Sequence, residues 1–145
     1  MKKIFSVLSL LLIAGTAVFA KDENKIDPKV IAAFQKEFSF AENAKWEQKG
    51  ELSQVNFSMN DQGFIAWYNE DAELLTTARN LLYMQLPLSV IRTLEQDYAE
   101  AALSGFVEIT RNGETFYQLQ AEMKKKKFIL KATPSGNVTV TKRLK

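Results

Sequence analysis

The sequence predicts an α+β fold, a tandem repeat in which each unit is a helix packed on a roughly four-stranded antiparallel sheet, in two layers. Three observations predict it. Residues 30–38 (VIAAFQKEF) and 90–98 (VIRTLEQDY) carry the same amphipathic stripe sixty positions apart. Each stripe is followed by short β-patterned runs separated by turn signals. Later landmarks align at an offset of 64: Phe64-Ile65 with Phe128-Ile129, Ala72 with Gly136 and Arg79 with Arg143, as a duplication diverged by loop insertion would leave them.

The chain opens MKKIFSVLSLLLIAGTAVFA, with a basic start at Lys2 and Lys3, an apolar run from Ile4, and small residues at Val18 and Ala20. This pattern is that of a secretory signal peptide over residues 1–20, with cleavage near Ala20. Ser6, Ser9, Gly15 and Thr16 interrupt the run, which falls short of the roughly 20 apolar residues a membrane span needs. The expected location is periplasmic or secreted, with no transmembrane span in the mature chain. Residues 21–145 are about one domain's worth, divided into repeats at about 26–84 and 85–145. The chain has no Cys, so the core must hold without disulfides.

Losing Lys2 and Lys3 leaves 17 basic residues of the 19 against 17 acids, a formally neutral mature chain. Neutrality hides an asymmetry. Residues 119–145 hold eight basic residues and only Glu122 as an acid, so that segment is +7 and residues 21–118 are −7.

In the first helix Asp27 suits the N-cap and Pro28 the first turn, and Val30, Ile31, Phe34 and Phe38 form the buried stripe. In the second, Pro87 precedes Val90, Ile91, Leu94 and Tyr98 at the same spacing. The first unit's strands are punctuated at Lys49-Gly50, Asn60 to Gly63 and Asn69 to Ala72. The second unit's are punctuated at Arg111 to Glu114, Lys124 to Lys127 and Thr133 to Asn137. A two- or four-residue loop at Asn60 to Gly63 pairs Met59 with Phe64, Phe57 with Ala66 and Val55 with Tyr68 as the helix-facing side. Period-two alternation then puts Gln54, Asn56, Ser58, Ile65 and Trp67 on the other face, which no helix covers. In the second unit, pairing Val107 and Ile109 with Tyr117 and Leu119 requires a bulged turn at Asn112-Gly113, which sends Phe116, Gln118 and Gln120 to the open face.

A sheet lacking its second layer offers a binding surface. The partner-binding candidates are Trp67, Ile65, Asn56, Phe116 and Gln118. The alternative for Trp67 is packing beneath the second unit or a loop, since large aromatics are usually well buried.

With no His and no Cys, Ser-His-Asp and Cys-His nucleophiles and Cys/His metal sites are excluded. The acids sit in turns and on exposed helix faces, where solvation explains them. No phosphate-binding glycine loop or EF-hand spacing occurs. The chain is therefore expected not to be an enzyme and to need no cofactor and no metal. Lys124, Lys125, Lys126 and Lys127 form the one conspicuous charge cluster. They suit anion binding, with a lipid head group or an envelope glycan as ligand, or else a solvated hairpin end. Nothing supports nucleic acid.

These landmarks together resemble the β-lactamase-inhibitor-like, PepSY-like family of exported bacterial proteins. The resemblance rests on the helix ending near Phe38, Ala44-Lys45-Trp46, Val55 and Phe57, Phe64 to Tyr68, Leu74 to Arg79, Leu86-Pro87 and Tyr98. It implies the same tandem of helix-on-sheet units and a similarity to secreted inhibitors that clasp an enzyme with a concave sheet face. The open sheet face and the lack of catalytic residue types, rather than the resemblance, point to a non-catalytic binding or regulatory module acting on an envelope or secreted protein. Ala72 stands where the family's first turn usually has Gly, and Thr133-Pro134-Ser135 where its second turn is acidic, so these turns are not expected to hold metal.

Overall fold

The computed structural model describes residues 26–144; the expected leader and its cleavage near Ala20 lie outside them. The chain forms helix α1 (Pro28–Glu37), strands β1 (Glu42–Lys49), β2 (Leu52–Met59), β3 (Gln62–Tyr68) and β4 (Leu74–Asn80), and a 3-10 turn at Tyr83–Gln85. Helix α2 (Leu88–Asp97) and strands β5 (Ala102–Arg111), β6 (Glu114–Met123), β7 (Lys126–Ala132) and β8 (Val138–Leu144) follow. Each strand pairs antiparallel with the next, giving one eight-stranded sheet in the order β1 to β8.

The expected tandem of helix-on-four-strand units is therefore corrected. β4 and β5, which that expectation left as edges of separate sheets, pair directly from Thr76 opposite Arg111 to Asn80 opposite Val107. A free edge exposes a row of unpaired N–H and C=O groups, and joining two such edges satisfies both. Residues 81–101 leave the sheet, carry α2, and return the chain beside β4. Over the described residues the product is mostly β, with two short helices.

Both helices are ten residues long, too short to persist alone, so burial holds them. The Asp27 side chain accepts a hydrogen bond from the Lys29 amide at 2.9 Å and starts α1. Val30 and Phe34 are buried against Trp46, Val55, Phe57, Ala66 and Tyr68, with Ile31, Phe38, Met59 and Phe64 packed around them. Phe34 meets Trp46 edge-on at 5.2 Å and Phe57 edge-on at 5.0 Å, the geometry that aromatic quadrupoles favour. On α2, Val90 and Leu94 are buried against Leu81, Leu86, Tyr117, Leu119, Ala121, Leu130 and Ala132.

The β7–β8 loop fastens α2. Ser89 Oγ donates to the Pro134 carbonyl at 2.6 Å, and Thr93 Oγ1 donates to the Gly136 carbonyl at 2.8 Å. Gly136 has φ +92°, and a Cβ there would fall 2.7 Å from the Ser89 carbonyl oxygen. Glycine alone permits this approach. Between the two clusters the helix side is polar: Arg79 on β4 and Glu108 on β5 face each other in register and bond at 2.7 and 3.2 Å, a two-pronged pair. The Glu108 carboxylate, after burial itself, holds the Tyr117 phenol protonated, while Arg79 pulls the other way.

The clusters share no residue, which makes their energetics separable. Phe34→Ala and Leu94→Ala should each cost about 2–5 kcal/mol in urea unfolding, and the double variant should lose the sum to within about 0.5 kcal/mol. A single loss under about 1 kcal/mol would show that the side chain is not a core anchor.

Tyr68 is 1% exposed and its hydroxyl finds no hydrogen-bond partner among the described residues. Burial first, and the Glu37 carboxylate second, push its pKa from 10.0 up to about 12. Phenolate formation is thus harder in the folded chain than in the unfolded one. The corresponding stability is whole below pH 10 and is lost as pH rises towards 12. Tyr68→Phe removes an unsatisfied group, so it should be neutral or stabilising by up to about 1 kcal/mol near neutrality. It should also flatten the alkaline decline in a pH series of unfolding curves. A large loss at neutral pH would mean that the hydroxyl has a partner.

Candidate functional site

Both helices and both clusters lie on one side of the sheet, so the residues alternating with the core residues form an opposite face. On that face two cross-strand rows run unbroken over six strands. One row is Lys45, Asn56, Ile65, Ala78, Ile109 and Phe116. The neighbouring row is Glu47, Gln54, Trp67, Thr76, Arg111 and Glu114. A third carries Val107, Gln118 and Lys131.

Asn56, Ile65 and Trp67 therefore converge. Trp67 belongs to neither core cluster and is partly exposed. Its cross-strand neighbours Gln54 and Thr76 are only 7% and 8% exposed, so the indole shields polar side chains while keeping a face to solvent. Arg111 Nε donates to Thr76 Oγ1 at 3.2 Å and ties β5 into the same patch. A shallow depression includes Asn56, Ile65, Trp67, Ala78, Asn80, Val107 and Ile109 in its lining. Phe116 and Gln118 occupy the same face on β6, three strands from Ile65 and so roughly 14 Å away. Phe116 carries the Lys131 ammonium 4.3 Å above its ring, a cation–π contact.

The lysines stand apart from this patch. Lys124 and Lys125 make the β6–β7 turn, and Lys126 and Lys127 open β7. Lys124 lies six residues beyond Gln118 along the chain, about 20 Å at strand rise. Lys127 reaches Glu122 at 3.8 Å across the hairpin.

Two expected registers are corrected. Asn60 and Asp61, at φ 50° and 60°, close a two-residue turn of the primed kind, which pairs Met59 with Gln62, Phe57 with Phe64 and Val55 with Ala66. The longer loop shifts that ladder by two residues. A slip of two keeps every side chain on its side, so the face assignment stands while the partners change. In the second hairpin no bulge sits at the turn: Asn112-Gly113, at φ 52° and 77°, pairs Ile109 with Phe116 and Val107 with Gln118. The bulge lies deeper, where Gly105 at φ 64° and Phe106 together oppose one residue of β6. Phe106 packs on the second cluster, and Val107 and Ile109 fall on the uncovered face rather than under the helix. Those two residues and Ala78 were missed; the Asn-Gly dipeptide read with a two-residue turn is the signal that finds Val107 and Ile109, whereas Ala78 takes its face from its place opposite Ile65 on β3.

Among the described residues no group of three or more Asp or Glu could hold a metal ion, and no helix is long and apolar enough to cross a membrane. Acids, amides and apolar groups on this face suit docking: apolar area to exclude water, amides to fix orientation.

No protein-family model matches the sequence, and no curated protein matches it. Solved structures do share the fold. A BLIP-like protein from Bacteroides fragilis superposes with TM-score 0.74 at 22% identity, covering 81% of this chain and 86% of that one. A DUF2874 family protein from Bacteroides uniformis gives 0.73 at 15% identity, over 82% and 88%. A Bacteroides eggerthii structure described as "putative periplasmic proteins" gives 0.71 at 17%, over 81% and 87%. The BLIP-like neighbour agrees with the resemblance carried by the sequence, and what these chains share at such identities is the fold.

Proposed function

We propose that this chain is an exported, non-catalytic binding module whose uncovered sheet face docks on a protein of the cell envelope. The observation that carries the reading is the face itself: Trp67, Ile65, Val107, Ile109 and Phe116 in adjoining rows, partly exposed, framed by Asn56 and Gln118. A solvated sheet face is ordinarily polar, and an apolar centre with an amide rim is the anatomy of an interface. Residue chemistry supports the non-catalytic part, since His and Cys are absent from the sequence. Export is supported by the signal-peptide pattern at the N-terminus and by the periplasmic description of one structural neighbour. The BLIP-like description of another, which shares this fold, supports an inhibitor-like reading.

Large aromatic anchors supply most of the affinity of such faces, and truncating one costs about 2 kcal/mol or more in binding. Trp67→Ala should leave α1 and both clusters folded, lowering stability by less than about 1.5 kcal/mol, while capture of the partner from envelope extract is lost. Loss of about 3–5 kcal/mol of stability would instead make Trp67 a core residue. Unchanged capture would remove the face from consideration. Protein recovered from the envelope fraction should begin at Lys21, and an intact Met1 there would overturn cleavage near Ala20.

A further inference from the structure

We propose a second contact on this chain, for an anionic, phosphate-bearing lipid surface, at the β6–β7 hairpin. Three observations converge on it. The first is backbone strain. The turn places Lys124 and Lys125 at φ 49° and 63°, both in the left-handed region. The β2–β3 and β5–β6 turns, which have the same two-residue length, fill those positions with Asn60-Asp61 and Asn112-Gly113. Asn, Asp and Gly suit that conformation, and a long unbranched cation does not. Two adjacent lysines there keep a cost that better turn residues would remove.

The second observation is projection. β4 ends at Asn80, opposite Val107, which is opposite Gln118, whereas β6 runs on to Met123 before turning. The hairpin tip therefore extends about 20 Å past the end of β4 along the strand direction. A plane that meets this tip leaves both sheet faces accessible, so the contact is compatible with a partner docked around Trp67.

The third is charge. Within the described residues the hairpin's one ion pair is Lys127 with Glu122, at 3.8 Å with both side chains about half exposed, so the run's positive charge is largely uncompensated. Lys142 and Arg143 on β8 lie opposite Ile129 and Phe128 and add to it. The acids instead fall almost entirely before residue 119, in turns such as Asp61, Glu70 and Asp71 as well as on strands and helices, which leaves β7, β8 and the end of β6 as a positive edge of a polarised molecule. Glu122 and Glu100 are the carboxylates nearest the tip in sequence register.

Lysine chemistry selects the kind of partner. Protein interfaces are depleted in Lys, because ordering its long stem and stripping its hydration are unfavourable. A layer of phosphate head groups needs no ordering of the side chain, and each lysine near it contributes about a fivefold gain in affinity at low salt.

The test is co-sedimentation of the exported protein with vesicles of phosphatidylglycerol and, separately, of phosphatidylcholine. Binding should be confined to the former and should weaken steeply with salt. The variant K124Q/K125Q/K126Q/K127Q should lose at least about tenfold in affinity. K124N/K125G should unfold at higher urea than the parent and yet bind more weakly. K45Q/K49Q, on the opposite edge of the sheet, should bind as the parent does. The proposal is overturned if the parent treats the two vesicles alike, if the four-glutamine variant sediments unchanged, or if K45Q/K49Q loses as much. It is also overturned if inorganic phosphate displaces the protein at matched ionic strength, which would assign the site to a free anion.

Discussion

The pairing of β4 with β5 is the interaction on which the molecule's architecture rests. Five residue pairs, from Thr76 with Arg111 to Asn80 with Val107, join what would otherwise be two sheet edges. Through them the rows centred on Ile65 and Trp67 continue into Ile109, Phe116 and Arg111. Without that ladder the uncovered face would be two narrow strips. With it, an apolar centre reaches from β3 to β6.

The same ladder explains why the helix side is divided. Opposite the apolar centre, β4 and β5 present Arg79 and Glu108 instead of core residues, so neither cluster extends over the middle of the sheet. Arg79 and Glu108 are partly exposed, at 37% and 22%, so their pairing contributes through geometry more than through Coulomb energy. A two-pronged contact between in-register strands fixes which residues face each other, and a slip by one residue would invert the uncovered face. A polar middle with an apolar back is the reverse of an ordinary sandwich, and it leaves α1 and α2 without a shared core.

Much of this was legible in local sequence. The stripes at Val30, Phe34, Val90 and Leu94 mark helices because a 3.6-residue period and a buried face are one physical fact. The turn at Asn60-Asp61 was visible but its length was not, and the error moved partners by two without moving faces. At Asn112-Gly113 the hydrophobic pattern and the turn chemistry point to different registers, and the chain follows the turn, which puts Val107 and Ile109 on the uncovered face instead of under the helix. Apolar residues can serve an exposed centre as well as a core, so hydrophobicity alone does not choose between them. The β4–β5 ladder was illegible for another reason: the pairing is between distant segments separated by α2, and no local pattern distinguishes a strand with one neighbour from a strand with two. The sequence likewise marked the lysines as a charge run but not as occupants of left-handed turn positions, which only backbone angles disclose.

A continuous sheet makes one demand that two separate sheets do not. Native-state hydrogen exchange of the backbone amides in residues 76–80 and 107–111 measures it directly, since amides in an interior ladder open only with the global unfolding of their unit. The account predicts that the bonded amides of this ladder are protected to the same extent as those between β2 and β3. Exchange as fast as at the outer edges of β1 and β8 would contradict it, and would return the molecule to two sheets with a gap where the face is drawn.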